Sequence, residues 1–240
     1  MFEDAYYQAL WPQLFKGFLL SLGLILPSAV CGLVLGLAVG AIRGMGWPRS
    51  LQGPCRAYVS LFRGTALAVQ LFICYYGLPE IGVILKPFCQ ARGLPEFWRL
   101  FYPPPYATAV FIFSLCSGAY HSEYIRGAIL SIRRGQFQAA RALGFNHWQA
   151  FTSLVAPQAL RLAWPGLSNE IIYLIKYSSL AWLLTAKELT GTAFSTGSFY
   201  FRYTESFFFA ALYYLALVTL VTWLFNRLEK VWAVPGFGRH

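Results

Sequence analysis

Acidic side chains are scarce in this sequence: Asp and Glu number 9 against 19 Lys and Arg, for a formal charge of +10 over 240 residues. Charge of either sign is thin, at 12%, whereas 58% of residues are hydrophobic. A soluble domain runs at about 45–50% apolar and about 25% charged, so a soluble fold is excluded and the chain reads as an integral membrane protein. The basic excess does not mark a nucleic-acid binder, because it is concentrated in alternate segments of the chain. No G-x-x-x-x-G-K-[ST] run occurs, so no nucleotide phosphate loop resides here. His121, His147 and His240 are too scattered for a metal site, and the five cysteines form no CxxC pair. Cys31, Cys74 and Cys116 fall in apolar runs and Cys55 on the basic side, which leaves Cys89 alone in an outer segment and excludes an outer disulfide within one chain. Low-complexity tracts and convincing internal repeats are absent too. Two acids precede a first apolar run long enough to span, which argues against a cleaved signal peptide.

The arginines and lysines that are present set an orientation. Segments 42–63, 126–163 and 227–240 hold Arg43, Arg49, Arg56, Arg63, Arg126, Arg133, Arg134, Arg141, Arg161, Arg227, Lys230 and Arg239 against the single acid Glu229. Segments 1–16, 78–104 and 186–205 are balanced, with Lys16, Lys86, Arg92, Arg99, Lys187 and Arg202 offset by Glu3, Asp4, Glu80, Glu96, Glu188 and Glu205. The positive-inside rule makes the first set cytoplasmic. Five apolar runs connect the two sets, at about 17–42, 57–78, 106–125, 166–184 and 207–225. They predict an all-α fold, one transmembrane domain over 1–240, with the N-terminus outside and the C-terminus in the cytoplasm. In the first run Gly32, Gly36 and Gly40 recur every four residues, a face on which another helix, of this chain or a second one, can approach closely.

Polar residues within the runs are the candidates for function, because a buried ionisable group in a membrane must face protein or water. Arg63, Leu67, Gln70 and Cys74 step by four, three and four, which places them on one face of a single second helix. Cys116, Tyr120 and Glu123 share a face of the third. Glu123 is a functional candidate, or else a structural acid paired with Arg126, Arg63 or water at the membrane interface. Glu170 and Lys176 are about 9 Å apart along a helix axis and about 120° around it, so each needs a partner elsewhere.

The stretch from Ser131 to Pro157 lies outside the membrane, since it carries three arginines and no acid. Gln136 to Leu143 is rich in helix formers, and Gly144 supplies the left-handed turn that ends a helix. Asn146 can cap a second short helix, from His147 to about Leu154, that Pro157 terminates. Periodicity alone permits a plain solvated loop as well as two short helices with a purpose.

Gln138-Ala139-Ala140, Gly144 and Leu154-Val155-Ala156-Pro157 resemble the "EAA" coupling loop of ABC importer permeases, with Gln138 for the family's Glu and Ala156 for its Leu. Phe62-Arg63-Gly64-Thr65, Val69-Gln70-Leu71-Phe72 and Tyr75-Tyr76-Gly77-Leu78-Pro79 resemble the polar amino-acid branch of that family, the histidine/arginine/glutamine type. Ala66 stands where those permeases usually have Pro, an exchange expected to straighten the helix. Ala119-Tyr120, then Glu123 through Ile129, and Gly135-Gln136 resemble the same branch, with Cys116 at a common Asn position. Lys176-Tyr177-Ser178-Ser179-Leu180 resembles its Lys-Asp-Thr-Ser-Leu, with Tyr177 for Asp.

The resemblance implies a type I ABC importer permease of five transmembrane helices in the bacterial inner membrane, moving polar amino acids by alternating access. It implies three partners: a second permease, identical or homologous; a cytoplasmic ATPase dimer; and a periplasmic or lipid-anchored amino-acid-binding protein. No cofactor is expected in this chain, with ATP and Mg held by the ATPase. Arg63, Gln70, Cys116, Tyr120, Glu123 and Lys176 become the expected substrate contacts. An amino acid presents an ammonium and a carboxylate, for which Glu123 with Tyr120 and Arg63 with Gln70 are the matching pairs. Gln138, Ala139, Ala140, Gly144 and Pro157 become the ATPase-coupling residues. A passive channel or scaffold has the same polar stripes but no use for a coupling loop. A membrane-embedded enzyme needs a convergent nucleophile, base or metal set that Glu123, Glu170 and Lys176 do not supply.

Overall fold

The computed structural model describes residues 2–92, 96–132 and 134–232. The first helix, α1 (Phe2–Gly44), is continuous for 43 residues despite Pro12 and Pro27, so residues 5–16 are helical and continuous with the first apolar run. After a turn, α2 (Arg49–Gly64) follows, then a break at Thr65–Ala66, then α3 (Leu67–Phe72), a π turn (Ile73–Gly77) and α4 (Leu78–Ala91). A tight 3-10 turn (Phe97–Phe101) leads to α5 (Pro105–Ser131). Next come α6 (Arg134–Ala142) and α7 (His147–Ala150), which runs through a second π turn (Phe151–Val155) into α8 (Ala156–Tyr177). A 3-10 stretch (Ser178–Leu184), α9 (Leu189–Tyr200) and α10 (Tyr203–Trp232) complete the described chain. Among the described residues three helical stretches are long and apolar enough to cross a membrane: Ala5–Gly44, Leu67–Ala91 and Tyr203–Trp232.

Several sequence expectations are corrected here. The run 57–78 is not one helix. Ala66 adopts φ −68°, ψ 131°, the extended geometry that the family's proline would impose, so its replacement by Ala does not straighten the chain. The Gln70 amide closes the break by donating to the Thr65 carbonyl at 3.2 Å and to Thr65 Oγ1 at 2.7 Å. Because α2 ends at Gly64 and α3 starts at Leu67, Arg63 is not on one helix with Leu67, Gln70 and Cys74. Residues 79–91 are helix rather than outer loop. Pro157 does not end a helix, and neither does Pro79. Each lacks the N–H for an i→i−4 bond and presses on the carbonyl four residues back, and each is preceded by a π turn that widens the helix to admit it. The run 166–184 splits into the end of α8 and a 3-10 stretch. Residues 186–205 hold a helix, and α10 exceeds 207–225 at both ends.

The chain divides into two compact units. The first comprises Met1–Val30, Thr65–Ser114 and Leu174–Leu217. Its core is Tyr6, Leu10, Leu14, Leu189, Ala193 and Ala210, from α1, α9 and α10. Glu188, fully buried, caps α9 by accepting from the Thr190 and Gly191 N–H groups, both at 2.8 Å. Its carboxylate also accepts from Tyr214 of α10 at 3.0 Å and Ser21 of α1 at 3.3 Å, so one acid ties three helices together.

The second unit comprises Cys31–Gly64, Leu115–Tyr173 and Val218–His240. Its main core packs α5 on α8 through Ile125, Ala128, Ile129, Val155, Ala159, Ala163 and Leu167. The glycine face of α1 meets α5 of the same chain: a Cβ on Gly36 would lie 2.4 Å from His121 Cβ, and one on Gly40 would lie 2.8 Å from Ile125 Cβ. The series continues to Gly44 against Ile129, each partner advancing four residues along α5. The helices touch along backbone because glycine has no side chain to hold them apart.

Candidate functional site

Within the second unit, α5 presents Tyr120 and Glu123 one turn apart, and the ends of α1 and α2 bring arginines to them. Glu123 Oε2 accepts from Arg126 Nη2 at 2.9 Å and Nε at 3.1 Å, and Oε1 accepts from Arg43. Arg63 Nη1 stands 3.9 Å from the same Oε1, with its guanidinium over the Tyr120 ring at 5.1 Å from the centroid. Three cations therefore share this carboxylate, and both of its oxygens are occupied. Arg43 and Glu123 are the inner members of the group, their side chains 12% and 18% exposed, while Arg63 is the outer member at 41%. A guanidinium placed over an aromatic ring keeps N–H donors for a carboxylate, which it can receive through two parallel bonds.

Among the residues singled out in the sequence, Arg63, Tyr120 and Glu123 are brought together, with Cys116 buried one turn further along α5. Gln70 and Lys176 belong to the first unit, where Gln70 clasps the break at Thr65 and Lys176 sits exposed in the last turn of α8. Arg43 was read only as part of a cytoplasmic basic turn. The signal that places it was available: the Gly36–Gly40–Gly44 face aims the end of α1 at α5, and Arg43 is adjacent to that face.

The bend between α6 and α7 is built as its composition predicts. Gly144 has φ +86°. The Phe145 N–H reaches back to the Ala140 carbonyl at 3.1 Å and the Gly144 N–H to Arg141 at 3.0 Å, the paired bonds of a Schellman cap. Asn146 Oδ1 accepts from the Gln149 N–H at 2.8 Å while Gln149 Oε1 accepts from the Asn146 N–H at 3.0 Å, a reciprocal capping box. Ala140 and Ala150 point into the fold, and Gln138 and Ala139 point out. Sequence reasoning missed the apolar tip, where Leu143 is 79% and Trp148 60% exposed, with Phe145 between them also exposed.

Helices of membrane-spanning length, a glycine-bent helix pair between α5 and α8, and a part-buried ionic cluster define a permease of the type I ABC importer fold. The chain belongs to the family described as the binding-protein-dependent transport system inner membrane component, whose profile matches residues 32–233. It is a transport subunit of an ATP-driven importer and not an enzyme. It is 37% identical to the octopine transport system permease protein OccM of Rhizobium radiobacter over 97% of this chain and 90% of the relative. It is 32% identical to the histidine/lysine/arginine/ornithine transport system permease protein HisM of Escherichia coli (strain K12), over 91% and 88%. Among solved structures it resembles an amino acid ABC transporter crystallised with histidines, with a TM-score of 0.78 at 26% identity, covering 96% of this chain and 98% of that one. The inward-facing MetNI methionine transporter shares the fold, with a TM-score of 0.71 at 20% identity over 92% and 96%.

Proposed function

We propose that this chain is the permease subunit of an importer of polar amino acids or their derivatives, acting as a single transmembrane domain of five spans. The observation that carries the reading is the half-exposed Arg63 guanidinium, over the Tyr120 ring and beside the thrice-paired Glu123. Arg63 receives the substrate carboxylate. Tyr120 and Glu123 hold its plane and charge in place, and Gln70, Cys116 and Lys176 are further proposed contacts. The chain works with a second permease, identical or homologous, and with an extracytoplasmic amino-acid-binding protein. A cytoplasmic ATPase pair binds ATP and Mg and drives alternating access through Gln138, Ala139, Ala140, Gly144 and Pro157. Transport follows only if substrate binds the outward and inward states with different affinity.

The test is uptake of a panel of amino acids by the assembled importer in vesicles. Losing a bidentate, charge-assisted contact worth about 1.5–3 kcal/mol, Arg63→Ala raises the half-saturating concentration roughly tenfold to a hundredfold. Arg63→Lys, which keeps the charge but not the planar fork, recovers little. Glu123→Gln abolishes uptake or changes its specificity while leaving the complex assembled and able to bind nucleotide. Unchanged transport and specificity in both Arg63→Ala and Glu123→Gln return the cluster to a purely structural role.

Orientation is tested separately. The Arg and Lys bias places the N-terminus outside and the C-terminus in the cytoplasm. A cysteine probe at exposed Gln136 is labelled only from the cytoplasm and one at exposed Gln90 only from outside. A third probe, at Gly238, lies beyond the described residues and shares the side of Gln136. Labelling of Gln90 and Gln136 from one side rules out the five-span arrangement.

A further inference from the structure

The last turns of α10 have two unlike sides. One packs on α8, where Trp164 meets Phe225 and Trp232 with ring centroids 5.7 and 5.1 Å away. At about 100° per residue, the opposite side carries Leu220, Trp223, Leu224, Arg227 and Lys230, all of them exposed. Its character changes along the axis. Leu220 is 61% and Trp223 55% exposed, and one turn later the Arg227 guanidinium lies over the Trp223 ring at 5.4 Å from the centroid. Lys230 follows about 4.5 Å further along. Glu229 is about 160° round the helix from Arg227, on the side of Phe225 and Trp232, so no acid shares the side of the two cations.

We infer that this side of α10 binds one anionic phospholipid, with the acyl chains along Leu220 and Leu224, the glycerol region at Trp223 and the phosphate between Arg227 and Lys230. The inference rests on the reading of the chain as a five-span permease with its C-terminus in the cytoplasm, which sets this end of α10 in the inner leaflet. The order of side chains along the axis is the order of a phospholipid: apolar, then amphipathic, then charged. Tryptophan settles at the level of the headgroups. Two cations one turn apart repel each other, and a phosphate between them removes that cost while accepting charge-assisted hydrogen bonds from both. A second protein chain fits this side less well, because lysine is depleted in protein–protein contacts.

The test takes the assembled importer from nanodiscs of phosphatidylglycerol and phosphatidylcholine in equal parts and counts the lipid retained per folded complex by native mass spectrometry. The wild type keeps phosphatidylglycerol in preference to phosphatidylcholine. Each cation beside an anionic headgroup contributes about fivefold, so Arg227→Gln with Lys230→Gln lowers phosphatidylglycerol retention about twenty-five-fold and leaves phosphatidylcholine unchanged. Arg49→Gln with Arg56→Gln removes the same charge from exposed positions on α2 and retains phosphatidylglycerol as the wild type does. No preference in the wild type, undiminished retention in the Arg227 and Lys230 variant, or an equal loss in the α2 variant overturns the inference. Crosslinking of one permease to the next through Leu224→Cys assigns this side to a second subunit and overturns it too. Labelling of a probe at Gly238 from outside overturns the orientation alone, and selective loss in the Arg227 and Lys230 variant then still supports the site, in the other leaflet.

Discussion

Gly36→Leu permease is expected to accumulate poorly and to lose its folded form in detergent well below the wild-type midpoint. The first carbon of the new side chain would sit 2.4 Å from His121 Cβ, 3.1 Å from the Gly118 carbonyl oxygen and 3.2 Å from the Ser122 nitrogen. Two of those neighbours are backbone, so no rotamer change relieves the overlap, and α1 must separate from α5. Overpacking of a tight core costs about 1–3 kcal/mol even where it relaxes. Here the separation also disturbs His121, whose ring nitrogens lie 3.1 Å from Ser117 Oγ and 3.4 Å from the Leu167 carbonyl. Gly23→Leu is the control, since a Cβ there meets nothing within 4 Å. Fluorescence-detected gel filtration across a temperature series separates the two. Equal yield and midpoint for both variants would falsify the close approach of α1 and α5.

Gly144→Val is expected to have the opposite signature, normal insertion and permease association with loss of ATP-driven uptake. Space is not the obstacle, because a Cβ on Gly144 meets nothing within 4 Å. The obstacle is φ +86°, where a β-branched residue costs about 1–2 kcal/mol or more. The cheapest escape is to abandon the left-handed turn, which breaks the Phe145–Ala140 and Gly144–Arg141 bonds and re-aims α7. Transport-linked stimulation of hydrolysis should disappear together with uptake. Ala139→Asp, placing a charge on the exposed side of α6, should act in the same direction. Gln138→Glu should be tolerated. Full ATP-driven transport in both Gly144→Val and Ala139→Asp would reduce the bend to an ordinary connection.

Local features were legible in the residues themselves. Composition alone placed the chain in a membrane, because side-chain transfer free energies sum without regard to tertiary contacts. The bend at Gly144 and the cap at Asn146 were readable because left-handed turns and capping boxes are closed by groups within six residues of one another. The glycine face of α1 was visible as a period of four, although its period could not say which helix would fill it. The helix end expected at Pro157 is not one, since a single widened turn accommodates the proline. The exchange at Ala66 was misread because one extended residue costs little, and Gln70 and Thr65 hold the break without a proline.

What the sequence by itself determined was an apolar, helical chain with its basic residues gathered in alternate segments and a glycine-bent loop between two apolar runs, since each of these depends only on composition or near-neighbour chemistry. Tertiary structure alone decided that Arg43, Arg63 and Arg126 converge on Glu123, that Glu188 closes a buried knot with Ser21 and Tyr214, and that Leu143 and Trp148 stand uncovered. Arg43 and Glu123 are 80 positions apart, and Ser21 and Glu188 are 167 apart. No periodicity in a single helix encodes such a meeting. It depends on which helices pack and at what rotation; for Arg43 and Glu123 the close approach of α1 to α5 along backbone brings the two side chains together.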